Sequence, residues 1–482
     1  MHYSVIGRIL GVLLMLFSLT LLPPVLVSIW FEDKNQVAFW LAFAITFTTG
    51  LLVWLGAEKG SQDLRNRDGF LVTALFWSVL GLFGCLPFIF TNGLQLSITD
   101  AVFESLSGLT TTGATVVTGL DDLPKSILYY RQQLQWLGGI GIIVIAVAIL
   151  PMLGIGGMQL YRAETPGPVK DSKLTPRITE TAKALFTIYL SLTIACALAY
   201  WGAGMTLFDA ICHSYATVAI GGFSTHDASI GFFQSELIMA IAVVFMMISG
   251  INFALHFYAW QDKRLSHYLR DPEWRMYIAA IILGSVLTVG LLYYYKIFNL
   301  RDSFSHGIFQ LVSVLTTTGF ATTNFSIWPN ILPFMLLYFS FMGGCAGSTG
   351  GGTKVIRVLL IFKQGVREIH RLIHPNAVFP IKVGTTSVPE RVVDAVWGFF
   401  SVYVLAYLIM FLALIATGLD VITAFFAVGA CINNLGPGLG DVAAHYGDIS
   451  NTAKWILCFA MLLGRLEVFT LLVLFSPMFW RR

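Results

Sequence analysis

Charged residues are scarce in this sequence. Only 11% of its 482 residues are Asp, Glu, Lys or Arg, while 56% are hydrophobic; a typical soluble domain carries roughly 25% charged residues. A chain with so few charged residues cannot form the polar surface that a water-soluble protein needs. Several of its apolar stretches are about 20 residues long, the length that a helix needs to cross a bilayer. The composition excludes an ordinary soluble domain and predicts an all-α polytopic membrane protein.

Cysteine is also sparse, and the groups that enzymes use are missing from the apolar segments. The six cysteines form no Cys-x-x-Cys pair and lie within or beside apolar stretches, at Cys85, Cys196, Cys212, Cys345, Cys431 and Cys458. This favours buried, unreactive thiols over a metal site or a disulfide. The predicted spans hold neither a His/Asp/Glu metal cluster nor a nucleophile–base pair, which argues against an intramembrane hydrolase. We expect no enzymatic activity, no cofactor held by this chain and no nucleic-acid partner.

The basic residues are distributed unevenly along the chain. Of 29 Lys and Arg residues, 22 fall in the two termini and in residues 58–69, 157–183, 261–275 and 354–391. The positive-inside rule assigns these segments to the cytoplasm, so both termini are expected there and the number of crossings must be even. The first apolar stretch, 5–30, lacks a small-residue cleavage site and is expected to be a retained helix.

Ten membrane spans satisfy this constraint. The first two, 5–30 and 37–57, form an N-terminal unit over residues 1–69. Four units follow, each with a span, a re-entrant half-helix and a second span, over residues 70–183, 184–275, 276–391 and 392–482. The predicted first spans are 70–91, 184–204, 276–297 and 392–417. The predicted second spans are 131–153, 236–260, 330–356 and 451–478.

Each predicted half-helix is too short to cross a bilayer. The four segments hold about 11 residues, near 16 Å at 1.5 Å per residue, and cover residues 100–110, 208–218, 304–315 and 421–432. The chain must therefore enter and leave on the same face. Irregular backbone at that depth is tolerated only where it is buried in protein or lines a water-filled cavity. We expect four pseudo-repeats of helix, pore half-helix and helix around a central pore, preceded by two extra transmembrane helices.

A short polar segment with glycine follows every half-helix. A potassium ion in a narrow pore exchanges its water shell for rings of backbone carbonyls, and glycine permits the backbone conformations that this needs. Glycine and threonine also allow close helix packing, but four matching positions favour a pore. The predicted potassium-binding filter residues are Thr111, Thr112, Gly113, Ile220, Gly221, Gly222, Thr317, Thr318, Gly319, Asn434, Leu435 and Gly436. The second unit departs from Thr-Thr-Gly, so its carbonyl register stays open.

A second glycine-rich segment lies in the third unit. Each glycine costs about 1 kcal/mol relative to alanine in a helix, so no continuous helix is expected there. A mobile loop that gates the filter is favoured, and tight helix packing is the alternative. A nucleotide-binding P-loop is excluded, because Thr353 stands between the last glycine and Lys354. The predicted gate comprises Gly343, Gly344, Cys345, Ala346, Gly347, Ser348, Thr349, Gly350, Gly351 and Gly352, together with Arg465.

Arg465 is predicted to lie in the middle of the last span, 451–478. A guanidinium at that depth is costly unless it faces water or a partner, and Glu467 points to a different side of the helix. We expect Arg465 to face the pore below the filter, to hydrogen-bond carbonyls of the gate and to repel cations. The alternative is a structural arginine away from the pathway.

Titratable residues in or beside the half-helices have plainer expected roles. Asp100, Asp209 and Asp420 are expected to cap free backbone amides. Glu104 is expected to brace the filter from behind, and the histidines of the half-helices are expected to be structural.

These segments resemble the Trk/Ktr/HKT superfamily of potassium transporters, and within it the Trk-type potassium uptake membrane subunits (TrkH/TrkG). The resemblance covers essentially the whole chain and is carried by residues 108–115, 220–225, 343–352, 433–438 and 464–467. It implies imperfect selectivity for potassium over sodium and a homodimer in the bacterial cell inner membrane. It also implies a TrkA-like cytoplasmic regulatory subunit that binds NAD or adenine nucleotides, docked on the basic stretches 157–183 and 363–391. Contact with membrane lipid is the other explanation of those stretches.

The expected function is potassium uptake by passive, gated conduction, with the potassium ion as bound substrate. A proton- or sodium-coupled potassium symporter is the alternative. It would need a titratable residue at an alternating site, and the spans offer little beyond Arg465 and Glu467.

Overall fold

A computed structural model describes residues 3–57, 66–94, 96–141, 178–329 and 331–481. Over these ranges the chain is helical apart from turns, connecting segments and one short antiparallel hairpin of β1 (Lys382–Val383) and β2 (Thr386–Ser387). The predicted all-α class is confirmed. The predicted loop 157–183 and the end of the predicted span 131–153 lie largely outside the described residues.

The N-terminal unit is a pair of spans. Helices α1 (Tyr3–Leu19) and α2 (Leu22–Trp30) together form the first, and α3 (Gln36–Gly56) returns beside it. A Cβ on Gly11 would come within 2.6 Å of the Gly50 carbonyl oxygen. These two glycines therefore let the backbones of α1 and α3 touch, as small residues do in membrane helix pairs.

The first span of each later unit is a long apolar helix. These are α4 (Asn66–Gly84) continued by α5 (Leu86–Phe90), α8 (Ile178–Gly202), α13 (Pro272–Tyr294) and α17 (Glu390–Ala416). With the N-terminal pair they make six helices of membrane-spanning length and hydropathy within the described residues. Apolar side chains on their outer faces are exposed, among them Ile282, Val286 and Leu412, as lipid contact requires.

Four shorter helices occupy the predicted half-helix positions. They are α6 (Ile98–Leu109), α9 (Leu207–Ala219), α14 (Leu300–Leu315) and α18 (Val421–Ile432). Unlike the outer helices they are buried through their last turns; in α6 every residue from Ala101 to Leu109 is buried. The protein therefore encloses its four half-helices.

Side-chain caps fix where the half-helices begin. The hydroxyls of Ser97 and Thr206 accept the backbone N–H groups of Asp100 and Asp209, and donate in return to those two carboxylates at 2.7 Å. Asp100 and Asp209 therefore support the cap residues, and the prediction that they cap the amides themselves is wrong. Asp420 does cap α18, because it accepts the N–H of two residues in the first turn.

The second spans are mostly bent or interrupted. They comprise α7 (Lys125–Ile140), α10 (Glu236–Ser249) with α11 (Phe253–Asp262), α15 (Ile331–Met342) with α16 (Val355–Ile373), and α19 (Asn451–Arg465) with α20 (Phe469–Leu472). Two further α-helices are short, α12 (Ser266–Arg270) and α21 (Pro477–Trp480).

The predicted spans 236–260 and 451–478 are not continuous helices. Helices α10 and α11 meet at 92°, and α19 meets the following helical segment at 110°. At the first bend the Asn252 side chain accepts the Ala254 N–H at 2.8 Å and starts a new helix. At the second, Glu467 and Val468 have φ values of 50° and 58°, a left-handed conformation that no α-helix continues through.

Candidate ion pathway

The four predicted filter segments share one backbone conformation. The glycines have φ values of 79°, 78°, 84° and 93°, at Gly113, Gly222, Gly319 and Gly436. The residues two positions earlier are also left-handed, at 54° to 67°, although none is glycine: Thr111, Ile220, Thr317 and Asn434. This conformation costs about 1–2 kcal/mol for an ordinary residue and less for asparagine. Strain repeated at four equivalent places is typical of a functional site.

Contacts between neighbouring units close these segments into a ring. A Cβ added to the filter glycine of each unit would lie less than 3.0 Å from the carbonyl oxygen of the residue that precedes the filter glycine of another unit, closer than real Cβ atoms come. The pairs are Gly113 with Gly221, Gly222 with Thr318, Gly319 with Leu435, and Gly436 with Thr112. The series runs from each unit to the next and returns to the first. The four units are therefore arranged cyclically in chain order, with glycine required at every junction.

The second unit keeps the register of the others. Ile220 and Gly222 have φ values within 1° of those of Thr111 and Gly113, and Gly222 takes its turn in the ring of contacts. The departure from Thr-Thr-Gly in this unit therefore changes side chains without shifting the backbone by one residue.

Threonine hydroxyls support the first and third segments in the same way. Thr110 and Thr112 share a hydrogen bond of 2.8 Å between their hydroxyls, and Thr316 and Thr318 share one of 2.7 Å. The first hydroxyl of each pair also donates to the carbonyl one turn back in its half-helix. The side chains of these threonines thus tie each filter segment to the end of its half-helix.

The second and fourth segments are supported through glycine carbonyls. Gln135 donates to the Gly221 carbonyl oxygen at 2.6 Å and accepts the Phe223 N–H at 3.0 Å. Tyr446 donates to the Gly436 carbonyl oxygen at 2.7 Å. Among the predicted filter carbonyls, these two therefore accept hydrogen bonds from the protein itself.

A buried ion pair braces the first two segments on their outer side. The Glu104 carboxylate, on α6, lies 2.8 Å from Nε of Arg131 on α7, and both side chains are at most 1% exposed. It also accepts the Thr115 hydroxyl at 3.0 Å and the Val116 N–H at 2.9 Å. Arg131 donates in turn to the Ser224 carbonyl oxygen at 3.1 Å. The pair therefore joins the chain just after the first filter glycine to the chain just after the second.

Glu104→Gln is expected to destabilise the protein strongly, because the Arg131 guanidinium stays buried without its counter-charge; breaking a buried pair costs about 3–5 kcal/mol. The melting temperature of detergent-purified protein, followed by size-exclusion chromatography after heating, should fall. The melting temperature of the double variant Glu104→Gln/Arg131→Met should fall less than that of the single variant. Glu236→Gln breaks the exposed pair with Arg301 and serves as control, since such pairs contribute little. A single variant that melts with the control would contradict this role.

The glycine-rich loop, residues 343–352, lies against the filter segment of the third unit and against the residues that lead into the filter segments of the second and fourth units. Its bonds run from the Thr349 hydroxyl to the Val218 carbonyl at 3.0 Å, from the Gly351 N–H to the Thr317 hydroxyl at 2.7 Å, and from the Gly352 N–H to the Asn433 carbonyl at 3.1 Å. No helix forms between α15 and α16, as predicted. A Cβ on Gly351 would overlap the Asn433 carbonyl oxygen, so the close approach depends on glycine.

Arg465 connects this loop to the remaining filter segment. Through Nη1 it donates to the Thr111 hydroxyl at 3.3 Å and to the Thr349 carbonyl at 3.4 Å. Through Nη2 it donates to the carbonyls of Gly138 and Gly139 on α7. Because α19 ends at Arg465, this residue stands at a bend, whereas a position in the middle of a span was predicted. Loop and arginine together contact the filter segment, or the residues that lead into it, in all four units.

Two basic residues beside the loop were not among the predicted site residues. Lys354 is buried, has a φ of 75° and donates through Nζ to the Gly350 carbonyl. Arg357, in the first turn of α16, pairs with Glu467 and lies 4.3 Å from the centre of the Phe399 ring. Glu467 is thus compensated by a residue far away in sequence. For Lys354 the signal was available, since a basic side chain inside a predicted span is itself a functional indication. Arg357 falls just beyond the predicted span 330–356 and carried no such signal.

Histidines bind neighbouring groups near the outer ends of the half-helices. His213 contacts the Asp209 carbonyl oxygen and the Ser224 hydroxyl, both at 2.9 Å, and His306 contacts the Thr322 hydroxyl at 2.9 Å. These contacts tie each half-helix to the chain that follows its filter segment, which is the structural role expected of both histidines.

His226 joins the outer loops of the first two units. Its Nδ1 pairs with Asp121, its Nε2 lies 3.6 Å from Asp209, and its ring stacks on Phe232 at 3.5 Å. Burial alone would lower the pKa of His226, but the two carboxylates outweigh burial and raise it above its usual value. The protonated form is therefore more favoured at this junction than in a free histidine. Within the described residues no group of three or more His, Cys, Asp and Glu side chains could hold a metal ion.

Comparisons with known proteins agree with this architecture. The family model of the cation transport protein TrkH matches residues 35–482. The Trk system potassium uptake protein TrkH of Halomonas elongata is 58% identical over 485 residues, and that of Escherichia coli K12 is 55% identical over 482, each covering 100% of both chains. The Trk system potassium uptake protein TrkG of Escherichia coli K12 is 42% identical and covers 100% of this chain and 99% of its own.

A solved structure matches as well. The crystal structure of the potassium transporter TrkH from Vibrio parahaemolyticus has a TM-score of 0.91 to this chain at 54% identity, with 100% of both chains covered. These relatives are named as transport proteins, in agreement with the expectation that the chain is not an enzyme.

Proposed function

The chain belongs to the TrkH family of cation transport proteins, and on that premise we propose that it takes up potassium by passive, gated conduction through one pore within the chain. The observation that carries the proposal is the closed ring of four glycine–carbonyl junctions. A ring of this kind can exchange the water shell of a potassium ion for protein oxygens without further rearrangement. The bound potassium ion is the substrate, and the filter residues would hold it.

The proposal assigns gating to the loop over residues 343–352 and to Arg465. In its support, the loop backbone donates hydrogen bonds to the bases of the filter segments, and the positive charge of Arg465 stands beside Thr111. A loop rich in glycine can adopt a second conformation at low cost. Displacement of the loop would free the inner end of the filter.

Regulation and assembly are proposed on the family resemblance. A cytoplasmic TrkA-like subunit that binds NAD or adenine nucleotides would act on the gate, and the chain would form a homodimer in the bacterial inner membrane with both termini cytoplasmic. In support of a cytoplasmic docking face, α16 carries Lys363 and Arg371 beside exposed apolar side chains such as Phe362 and Ile369.

Rubidium-86 uptake into potassium-loaded proteoliposomes tests the proposed function. Uptake should survive a proton uncoupler, persist when sodium is replaced by choline, and be blocked by external potassium far better than by sodium. Protein-free vesicles are the control. Uptake that the uncoupler abolishes would make the chain a proton symporter, and uptake that choline replacement abolishes would make it a sodium symporter.

Currents in a planar bilayer separate these mechanisms more sharply. With the potassium gradient fixed, a pH difference of one unit leaves the reversal potential of a passive pore unchanged. One-to-one proton symport would shift it by about 30 mV, half of the roughly 59 mV that a tenfold ratio of a monovalent ion produces.

A further inference from the structure

Glu273 lies outside the glycine-rich loop, in α13, but its side chain holds the chain at both ends of the loop. It stands in the first turn of α13 and is buried. Its Oε1 accepts the backbone N–H of Ala346 at 2.7 Å and that of Ile356 at 3.0 Å. The first of these amides belongs to the start of the loop and the second to the start of α16. One carboxylate oxygen therefore brings together two points of the chain on opposite sides of the loop.

The surroundings of Glu273 leave it available for this contact. A carboxylate in the first turn of a helix commonly bonds the free amides of that helix, but in α13 Asp271 already accepts the Trp274 N–H at 2.7 Å. A buried carboxylate is costly unless hydrogen-bond donors compensate it. The donors here are the two loop amides, and an oxygen of the Glu273 carboxyl group can accept them whether or not the group is ionised.

The preceding segment of the second unit grips the loop as well. The Cys345 N–H donates to the Gly250 carbonyl oxygen at 2.8 Å, and the Phe253 N–H donates to the Gly347 carbonyl oxygen at 3.0 Å. These bonds come from the bend between α10 and α11. The chain then continues through α11 and α12 to Glu273, so one connected segment holds the loop at both its beginning and its end.

We propose that Glu273 is a positioning residue of the gate, a latch that keeps the glycine-rich loop beneath the filter by fixing both of its ends to the start of α13. The inference rests on the proposed gating function of the loop. A displaced loop must either break the two bonds to Glu273 or move together with the start of α13. The basic α11–α12 segment, with Lys263, Arg264 and Arg270, leads directly into the latch, so a force applied to that segment would reach the loop.

Two substitutions of nearly equal volume isolate the latch. Glu273→Gln keeps an oxygen that accepts both amides, whereas Glu273→Met fills the same space and accepts neither. Passive rubidium-86 flux through proteoliposomes should rise at least roughly tenfold in the Met variant and stay within about twofold of the unsubstituted protein in the Gln variant. The potassium/sodium permeability ratio should be unchanged in both. Glu236→Met, at an exposed outer position, is the matched control and should leave flux unchanged.

A purely structural role predicts a different pattern, since a destabilised protein loses flux and does not gain it with selectivity intact. Equal flux in the Met variant and the unsubstituted protein overturns the latch, as does an equal rise in the Met and Gln variants or any loss of flux. Arg465→Ala, measured beside them, separates this failure from failure of the gate. If Arg465→Ala raises flux and Glu273→Met does not, the latch is wrong and the gate stands. If neither raises flux, the gating function is wrong and the latch falls with it.

Discussion

Gly222→Ala is expected to abolish the preference of the pore for potassium over sodium, bringing the permeability ratio to about one. Gly222 has a φ of 78°, where alanine pays about 1–2 kcal/mol. Its new Cβ would overlap the Thr318 carbonyl oxygen of the next unit. A clash with backbone cannot be relieved by a change of rotamer, so one of the two filter segments must move. When the carbonyl oxygens of the filter lose their fixed spacing, they no longer fit potassium better than sodium.

The measurement is the reversal potential of bilayer currents with potassium on one side and sodium on the other. Gly290→Ala is the matched control. Gly290 lies within α13 and has no positive φ, and a Cβ added there would have no neighbouring atom within 4 Å. That variant should keep the selectivity of the unsubstituted protein. If Gly222→Ala kept it too, the ring of glycine contacts would be helix packing, and the filter would have to lie elsewhere.

The half-helices and their glycines could be predicted because they are local features. Segment length against bilayer thickness identified α6, α9, α14 and α18, and glycine after each indicated where the backbone turns. The Gly-rich break before α16 was predictable for the same reason, since glycine disfavours helix within a few residues. The caps also had a local signal, which was misinterpreted. Ser97 precedes Asp100 by the spacing of a capping box, which indicates that Ser97 and not Asp100 is the cap residue.

Contacts between distant segments could not be predicted from the sequence. Nothing local to Gly113 indicates that its partner is Gly221, since that contact depends on how the units are arranged around the ring. The latch residue Glu273 precedes the loop amide of Ala346 by 73 positions, and Glu467 finds its counter-charge at Arg357, 110 positions away. The bend after Arg465 was missed because the strained residues there, Glu467 and Val468, are not glycine.

Arg465→Ala is expected to raise passive rubidium flux at least tenfold. A unit charge about 5 Å from a permeating cation costs about 3 kcal/mol at an effective dielectric constant of about 20. Each 1.36 kcal/mol is a factor of ten in rate, so the charge alone could slow passage roughly a hundredfold. The same substitution removes the bonds that join Thr349 of the loop to Thr111 of the first filter segment. Both effects act in the same direction, toward an open path.

Arg465→Lys separates the two contributions, because it keeps the charge and loses the fork of donors that reaches several oxygens at once. If repulsion dominates, the Lys variant keeps a low flux like the unsubstituted protein. If the hydrogen bonds to Thr111, Thr349 and the α7 carbonyls dominate, the Lys variant opens like Arg465→Ala. Arg301→Ala removes an exposed arginine paired with Glu236 and should change neither flux nor selectivity.

Unchanged flux in Arg465→Ala would exclude the gate role and leave Arg465 as a structural link between α19 and α7. A rise in flux at unchanged selectivity would instead separate gate from filter, since the barrier would have been lowered without disturbing the ring that discriminates between ions.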